Sequence, residues 1–481
     1  MNMISRIKPI KRVCLLILTG LILLIIVNNR LHAQVSRSVY FLEHLPESGI
    51  LNPAFSPPYN FYVNLPIIST FYIGFESPFS FDQLTQKWET GDSLYIDRET
   101  VLNALKDNNY FSFEIYNELG RAGFRAGRNY FHLSIAKVFS TKFSFEKDII
   151  ELFLYGNGSE QFLGKPIHFD KTGLNMTSYH EFALGYSFRI NEKVTIGTHL
   201  KYLNGCFNIW TEKAEFRMFT DDQSTYAITA SSDINIHTSS TISNFDNLIY
   251  QVENYKWFDL TGNHGYACDL GVEYEPGSKF KLSASVVDIG WIKWKENIKN
   301  FKSANPNVDY TFEGFDINDF VSEGSFTDTL DILDTITECF GLEKNYEPYT
   351  SHLNPKVYMG GLWNLNKSNQ LGLLIRTDFV ERTIKPSFTI NYTHKFGDVL
   401  TVYANYSILN RNYANIGLGF AVKLGPVQFY ALNDMAYALL KPREARNYNF
   451  HFGMSFVFGT PKEFGKSEKI DSGEDGKNDG E

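Results

Sequence analysis

The residues of this chain that could do chemistry are charged and amide side chains at alternate positions of apolar segments. They are Arg189, His199, Lys201, Arg376, Asp378, Asn391, Asn405 and Lys423. Lipid would penalise the charged groups heavily, whereas a wet interior would accept them. We therefore interpret these residues as the candidate lining of a lumen. There they either steer a solute or satisfy one another and fill the space.

Familiar catalytic and cofactor signatures are missing from the sequence. There is no Gly-Lys-Ser/Thr phosphate loop, no His-Glu-x-x-His motif and no paired-cysteine metal pattern. A hydrolase needs a nucleophile, a base and an orienting group on neighbouring strands. His199, His394 and His451 lie near Ser and Asn positions, but no spacing singles out a triad. We interpret these histidines as polar lumen residues and expect neither an enzyme nor a bound cofactor.

Strands with one apolar face and one polar face must position the candidate residues. In segment 447–458 every even position, from Tyr448 to Phe458, is large and apolar, and the odd positions are mostly small or polar. This period of two predicts a strand, and its apolar face would be an aggregation hazard in water. The hairpin Tyr179–Leu203 repeats the pattern. We interpret 447–458 as the strand that closes a barrel by pairing with the first strand, near Tyr62–Phe75.

The composition agrees with a membrane barrel. Aromatic residues make up 16% of the 481 residues, while the mean hydropathy is only −0.23. Polar lumen positions and aromatic girdles produce this combination. Two or three soluble domains or a soluble β-sandwich are the alternatives, but the apolar faces carry almost no charge over successive hairpins. We predict an all-β, transmembrane antiparallel barrel of about 14 strands, with a short plug-like N-terminal segment and small loop helices. The net charge of −9 gives no support to nucleic-acid binding.

The N-terminus predicts export. Basic residues from Arg6 to Arg12 precede an apolar run, Val13–Val27. This run is about 15 residues long, shorter than the ~20 that a spanning helix needs. We therefore predict a signal peptide, residues 1–33, that is cleaved near Ala33, rather than a retained helix. The expected location is the cell outer membrane.

The mature chain divides into four parts. Residues 34–60 are proline-rich and irregular, either tucked into the lumen as a plug or lying outside as a leader. Residues 61–459 form the barrel. Its insertion, 300–354, contains an amphipathic helix that is either a lid or a loop helix on the rim. Residues 460–481 are a charged tail that we expect to be disordered. Whether Cys206 and Cys268 form a disulfide depends on whether their strands are neighbours.

Several short motifs resemble known families of outer-membrane barrels. Asn52-Pro53-Ala54 resembles an element of the long-chain fatty-acid transporter superfamily. The runs Tyr179–Ser187 and Ile196–Gly205 are similar to a Bacteroidota barrel family known only as a domain of unknown function. The ending from Asn433 through Arg446 resembles related barrels, including components of type IX secretion. The resemblance implies a barrel of about fourteen strands in the outer membrane, with Asn52, Pro53 and Ala54 inside it as candidate plug residues. It implies no substrate.

Two functions follow as hypotheses. The first is a transporter or channel for a small or hydrophobic solute, with a plugged lumen. The alternative is a structural or secretion-associated scaffold that binds protein partners through its loops. In both cases we expect contact with outer-membrane lipid and, during biogenesis, with the barrel-assembly machinery.

Overall fold

The computed structural model describes residues 37–460, apart from 66–68, 88–93, 223–226, 241–257, 259, 307–309, 313–340, 381–382 and 410–411. Three expectations therefore lie outside the described residues. They are the signal peptide 1–33, the amphipathic helix within the insertion 300–354, and the charged tail beyond Thr460.

The alternating segments form fourteen antiparallel strands that close into one barrel, as predicted. Each strand pairs with its neighbour in the chain. The first and eighth strands each consist of two pieces. The strands are β1 (Phe61–Asn64 and Thr70–Glu76), β2 (Asn108–Ala126), β3 (Asn129–Glu146), β4 (Gly173–Arg189), β5 (Val194–Thr220), β6 (His264–Gly277), β7 (Phe280–Trp294), β8 (Tyr349–His352 and Lys356–Asn364), β9 (Asn369–Val380), β10 (Thr383–Phe396), β11 (Leu400–Leu409), β12 (Asn412–Leu424), β13 (Val427–Asn433) and β14 (Asn447–Phe458).

Strand β14 closes the barrel by pairing with both pieces of β1. Phe61 lies opposite Phe458, and Thr70 lies opposite Gly453. The register shifts between the two pieces, since the seven-residue step from Val63 to Thr70 faces only the three-residue step from Phe456 to Gly453. Closure removes the unpaired edges that would otherwise invite aggregation.

The barrel wall carries apolar side chains on its outer face and polar side chains on its inner face, the reverse of a water-soluble protein. Outward positions are apolar and exposed: Leu200 on β5 has 62% of its surface accessible, and Leu184 on β4 has 56%. Inward positions are polar and buried, as for His451 on β14 and Ser187 on β4. Such a continuous apolar surface is stable only in contact with lipid or another apolar phase.

The barrel has two different ends. At the short-turn end, two-residue connections join β2 to β3 and β12 to β13. At the opposite end, which we call the long-loop end, long connections join β1 to β2, β3 to β4, β5 to β6 and β7 to β8. Strand β5 has 27 residues, or about 90 Å at ~3.3 Å per residue, and therefore extends far beyond the ~30 Å hydrocarbon core of a bilayer.

Beyond the barrel wall, this extension of β5 builds a small sheet at the long-loop end. Pro166–Phe169 and Ile228–Ser240 pair with β5, and further short strands follow at Asn300–Ser303, Tyr310–Phe312 and Leu342–Asn345. A separate two-stranded sheet joins Gln86–Lys87 to Leu94–Tyr95. The α-helices of the described chain are α1 (Phe81–Leu84), α2 (Arg98–Ala104), α3 (Lys147–Tyr155) and α4 (Ala436–Leu440). Among the described helices, none has the length and apolar character needed to cross a membrane.

Candidate functional site

Residues 37–59, which we call the N-terminal segment, lie inside the barrel. Their prolines lack the N–H donors that a sheet requires, and the chain instead forms two 3-10 turns, Arg37–Phe41 and Pro46–Ile50. Apolar side chains of the segment pack with inward side chains of the wall in one buried cluster. It includes Val39, Tyr40, Phe41, Leu42, Leu45, Leu51 and Phe55 together with Val287, Tyr358, Leu362, Leu374, Tyr403, Tyr430 and Leu432.

Asn52, Pro53 and Ala54 lie against β5 and β6 near the short-turn end. The Asn52 side chain accepts a hydrogen bond from the Ala54 N–H at 3.0 Å, which holds a tight turn. Gly197 and Gly271 face this turn. A Cβ atom added to Gly197 would lie 2.1 Å from the Pro53 carbonyl oxygen, and one added to Gly271 would lie 2.0 Å from Asn52 Oδ1. The wall therefore makes room for the turn by omitting two side chains.

Hydrogen bonds attach the N-terminal segment to widely separated strands. The Ser285 hydroxyl on β7 donates to the Leu51 carbonyl oxygen at 2.6 Å. Lys281, also on β7, donates to Glu43 at 2.7 Å. On the other side of the barrel, the Asn405 amide on β11 donates to the Ser38 hydroxyl at 2.6 Å. The segment is therefore held across the lumen rather than along one wall.

Glu47 is the most deeply buried acid of the N-terminal segment. Its Oε1 accepts hydrogen bonds from the Asn64 amide at 2.9 Å and from the Ser455 hydroxyl at 2.6 Å. Burial raises the pKa of Glu47 from 4.5 to about 7; the Ser455 hydrogen bond opposes this rise, and the neighbouring Glu118 adds to it. Glu118 is itself held by Arg121 Nε at 2.7 Å. The docked segment therefore favours the protonated, neutral form of Glu47.

We expect Glu47 to weaken docking of the N-terminal segment as the pH rises from about 4.5 to about 7, since its docked pKa is the higher one. His44 of the same segment acts in the opposite direction, because burial lowers its pKa from 6.5 to about 3, and it largely cancels the dependence in the unaltered chain. The effect of Glu47 is therefore measured by comparison with Glu47→Gln. Hydrogen exchange of residues 37–59, corrected for intrinsic rates, should show that docking of Glu47→Gln strengthens on the order of 100-fold relative to the unaltered chain over this pH range, whereas Glu43→Gln should follow the unaltered chain. An identical pH profile in Glu47→Gln and the unaltered chain would contradict the expectation.

His199 and Lys201 belong to a buried network of ions between β4, β5, β6 and β7. Lys201 Nζ lies 2.9 Å from Asp269, 2.8 Å from Asp288 and 3.4 Å from Glu181. His199 donates from Nδ1 to Asp269 at 2.7 Å. Buried charges persist only when paired in this way, and the network ties four strands together from the inside.

The other candidate lining residues lie at separate places around the wall. Arg376 is fully buried, donates to Asp378 at 2.8 Å and lies over the Tyr358 ring. Asn391 and Asn405 are buried on β10 and β11. Lys423 contacts the ring of Tyr59 in the N-terminal segment at 4.7 Å, and Arg189 ends β4 beside the short-turn end. The structure thus brings together His199 with Lys201, Arg376 with Asp378 and, as directly opposite residues of paired strands, Asn391 with Asn405. It keeps Arg189 and Lys423 apart from these groups.

His199, His394 and His451 each contact a polar side chain, and none of these contacts forms a catalytic triad. His199 faces His132 at 3.0 Å, His394 contacts Asn369 at 2.8 Å, and His451 contacts the Tyr430 hydroxyl at 3.1 Å. Within the described residues, no group of three or more His, Cys, Asp or Glu side chains is placed to hold a metal ion. The prediction that His394 lies in the lumen is wrong, because it shares the outward face of β10 with the exposed residues Ile390 and Tyr392. The lumen chemistry that His199 and His451 offer is hydrogen bonding and charge.

Cys206 and Cys268 do not form a disulfide. They lie on neighbouring strands, β5 and β6, but both thiols are free, and Cys206 Sγ contacts His180 at 3.2 Å.

The sequence analysis did not identify Asp269 and Asp288, the acidic partners of Lys201. Asp269 alternates with apolar neighbours just as Lys201 does. That alternation is the signal that could have identified Asp269.

A cavity of about 160 Å³ lies in the lumen between the N-terminal segment and the long-loop end. Ile50 and Leu51 of the segment form part of its floor, and β2, β3, β4, β7 and β8 form its sides. A cavity of ~150 Å³ can hold a benzene-sized molecule. This cavity could therefore accept a small solute, and the segment separates it from the short-turn end.

Comparisons with known proteins give a family and a set of similar barrels. The model of a family described as "Family of unknown function (DUF5723)" matches residues 53–434. No curated protein matches the chain.

Three solved barrels illustrate the structural similarity. The Ralstonia pickettii toluene transporter TbuX is 9% identical, with 86% of this chain and 94% of that chain covered at a TM-score of 0.41. The Pseudomonas putida toluene transporter TodX is 10% identical, with 86% and 92% covered at 0.36. A Pseudomonas aeruginosa FadL homologue is 9% identical, with 86% and 94% covered at 0.36. Similarity at this level says nothing about what this chain binds.

Proposed function

Since this chain belongs to the Family of unknown function (DUF5723), whose description assigns no activity, we propose a function from the lumen itself. The chain is an outer-membrane barrel that binds a small solute and lets it pass, and its N-terminal segment is the plug. The position of the cavity carries this proposal. A solute that enters from the long-loop end reaches the cavity first and then meets Ile50 and Leu51.

The way in which the plug is held also supports passage. The N-terminal segment contributes no strand to the barrel sheet, and side-chain hydrogen bonds and apolar packing hold it. It can therefore shift without breaking the ladder of backbone hydrogen bonds that closes the barrel. Outside the lumen, the apolar outer face contacts lipid, and the barrel-assembly machinery inserts the strands.

Flux through liposomes tests this function. The mature chain should admit a limited set of small neutral solutes, and a variant lacking residues 34–59 should admit many more at higher rates. Heat-modifiable migration on gels verifies that both proteins are folded barrels. If both are folded and neither passes any solute, transport is excluded. If both pass the same solutes at the same rates, the plug is excluded.

A scaffold for other proteins is the second candidate. The observation that favours it is the sheet that β5 builds beyond the barrel, with Pro166–Phe169 and Ile228–Ser240 at its sides. Helix α3 beside it exposes 85% of Phe153, and this ring offers a partner apolar surface to pack against. This surface lies at the end of the barrel that bears the long loops.

Crosslinking in intact cells distinguishes the scaffold. A photo-reactive residue at position 153 should capture a defined protein in amounts comparable to the barrel itself. The same residue at position 200, on the apolar outer wall, is the control and should capture no such protein. Failure to recover a stoichiometric partner at position 153 would remove the reason for this candidate.

A further inference from the structure

Two aromatic rings mark the edge of the apolar outer wall on β6 and β7, near the long-loop end. Trp291 on β7 and Tyr266 on β6 lie directly opposite one another and expose 48% and 57% of their surfaces. Toward the short-turn end, the same outer face continues with the exposed apolar side chains of Ile289 and Leu270. Exposed Trp and Tyr rings at the end of an apolar band are typical of the level at which a barrel leaves the hydrocarbon.

Basic side chains continue this outer face beyond the two rings. Lys293 holds the next outward position of β7 and His264 the corresponding position of β6, and the two residues are again directly opposite one another. Both are exposed, as is Lys295, just past the end of β7. The Tyr202 hydroxyl contacts His264 Nδ1 at 2.7 Å, which leaves Nε2 of the ring for another partner.

This part of the surface is basic although the chain as a whole carries a net charge of −9. Four lysines lie within ten residues, with a single acid, Glu296, among them: Lys293, Lys295, Lys299 and Lys302. Glu296 accepts a hydrogen bond from the Gly262 N–H at 2.7 Å. Within the residues that the structure describes, none of the four lysines forms an ion pair. The charges of Lys293 and Lys295 are therefore open to an anion from outside.

The order of surfaces along this face follows the layers of a lipid leaflet. Apolar side chains meet the acyl chains, the two rings lie where the hydrocarbon ends, and the lysines lie where phosphate groups are found. The longer loops of such barrels face the cell exterior, so the leaflet concerned is the outer one. A lysine at a bilayer surface attracts anionic headgroups, and an ammonium group that donates to a phosphate oxygen makes a strong, charge-assisted hydrogen bond.

We propose that this surface, which we call the basic corner, binds a lipid whose headgroup carries phosphate. It consists of His264, Tyr266, Trp291, Lys293 and Lys295. The acyl chains of the lipid lie along the apolar wall, and its phosphate oxygens accept hydrogen bonds from the two lysines and from His264. A free phosphate ion would meet the same lysines but would gain nothing from the apolar wall. The site lies outside the lumen, so it does not depend on transport.

Native mass spectrometry of the folded mature chain in detergent tests the proposal with phosphatidic acid. Phosphatidic acid should bind about tenfold or more tightly than diacylglycerol, which has the same acyl chains without the phosphate. Inorganic phosphate at the same concentration should not bind. Lys293→Gln/Lys295→Gln should lose the preference, whereas Lys293→Arg/Lys295→Arg should keep it. Lys193→Gln/Lys279→Gln removes two exposed lysines from turns at the short-turn end and is the matched control, which should bind as the unaltered chain does.

Each outcome decides one part of the proposal. Equal binding of phosphatidic acid and diacylglycerol by the unaltered chain overturns the phosphate-bearing class. Equally tight binding of inorganic phosphate shows an anion site that needs no lipid, and overturns the lipid. A preference that survives in Lys293→Gln/Lys295→Gln, or that the control loses to the same extent, overturns the location. Heat-modifiable migration on gels verifies that every variant is a folded barrel, and solute flux through liposomes should be the same in all of them.

Discussion

Barrels with aspartate in place of Phe452 or Phe456 should fail to insert into the membrane. Both side chains lie on the outward face of β14, where Phe452 packs against Phe71 of β1 at a ring-centroid distance of 5.5 Å. A charged residue on the lipid face of a barrel costs roughly 1–3 kcal/mol, depending on depth. Here the charge would also disturb the pairing that closes the barrel, because Phe71 lies directly opposite Phe452.

Membrane fractionation and heat-modifiable migration on gels measure this effect. The expected result is loss of at least nine-tenths of the folded, membrane-bound protein. A chain truncated after Thr460 should insert normally, because the last strand ends at Phe458. Phe452→Leu keeps the face apolar and should insert almost as well as the unaltered chain. Normal insertion of either aspartate variant would show that this face of β14 does not meet lipid.

Leucine at Gly197 and Gly271 together should displace the N-terminal segment and raise conductance strongly. A new side chain at either position collides with the Asn52-Pro53-Ala54 turn, and part of that turn is backbone that cannot rotate away. The same positions face the lumen, so the wall itself has no reason to distort. Release of the segment would open the part of the lumen that it fills. We expect an increase of about tenfold or more in conductance, approaching that of the chain without residues 34–59.

Planar-bilayer recording of purified protein provides the measurement, and protease sensitivity of residues 37–59 shows whether the segment has left. Gly361→Leu is the matched control: an added Cβ there meets only Leu282, at an ordinary 3.6 Å. It should conduct as the unaltered chain does. A folded Gly197→Leu/Gly271→Leu protein with unchanged conductance and a protected segment would show that the turn does not block the lumen.

The strands and their faces could be predicted from sequence because a barrel imposes a simple period. Each side chain points either to lipid or to the lumen, so the alternation in Tyr179–Leu203 predicts which face is apolar. The end of the helix Lys147–Tyr155 can also be read from the sequence, since Gly156 follows it with a positive φ and glycine commonly ends a helix.

Sequence alternation could not predict the contacts across the lumen. Lys201 meets Asp269 and Asp288 because of the register between β5, β6 and β7, and register depends on turns and bulges that one sequence does not specify. Glu47 could not be singled out, because its partners Asn64 and Ser455 lie 17 and 408 residues away in sequence. The extension of β5 to Thr220 could not be predicted as part of the same strand, because its alternation weakens beyond Phe207.

The attachment of Glu47 to Ser455 has a consequence for the order of assembly. Glu47 precedes the first strand of the barrel, whereas Ser455 belongs to the last strand. Contacts this distant in sequence form late in folding, because the intervening loop must be closed first. The N-terminal segment can therefore reach its final place only after the last strand has arrived. A barrel in which the N-terminal segment is docked is therefore one whose last strand has been synthesised and paired. A chain interrupted before Ser455 would lack this anchor for the segment.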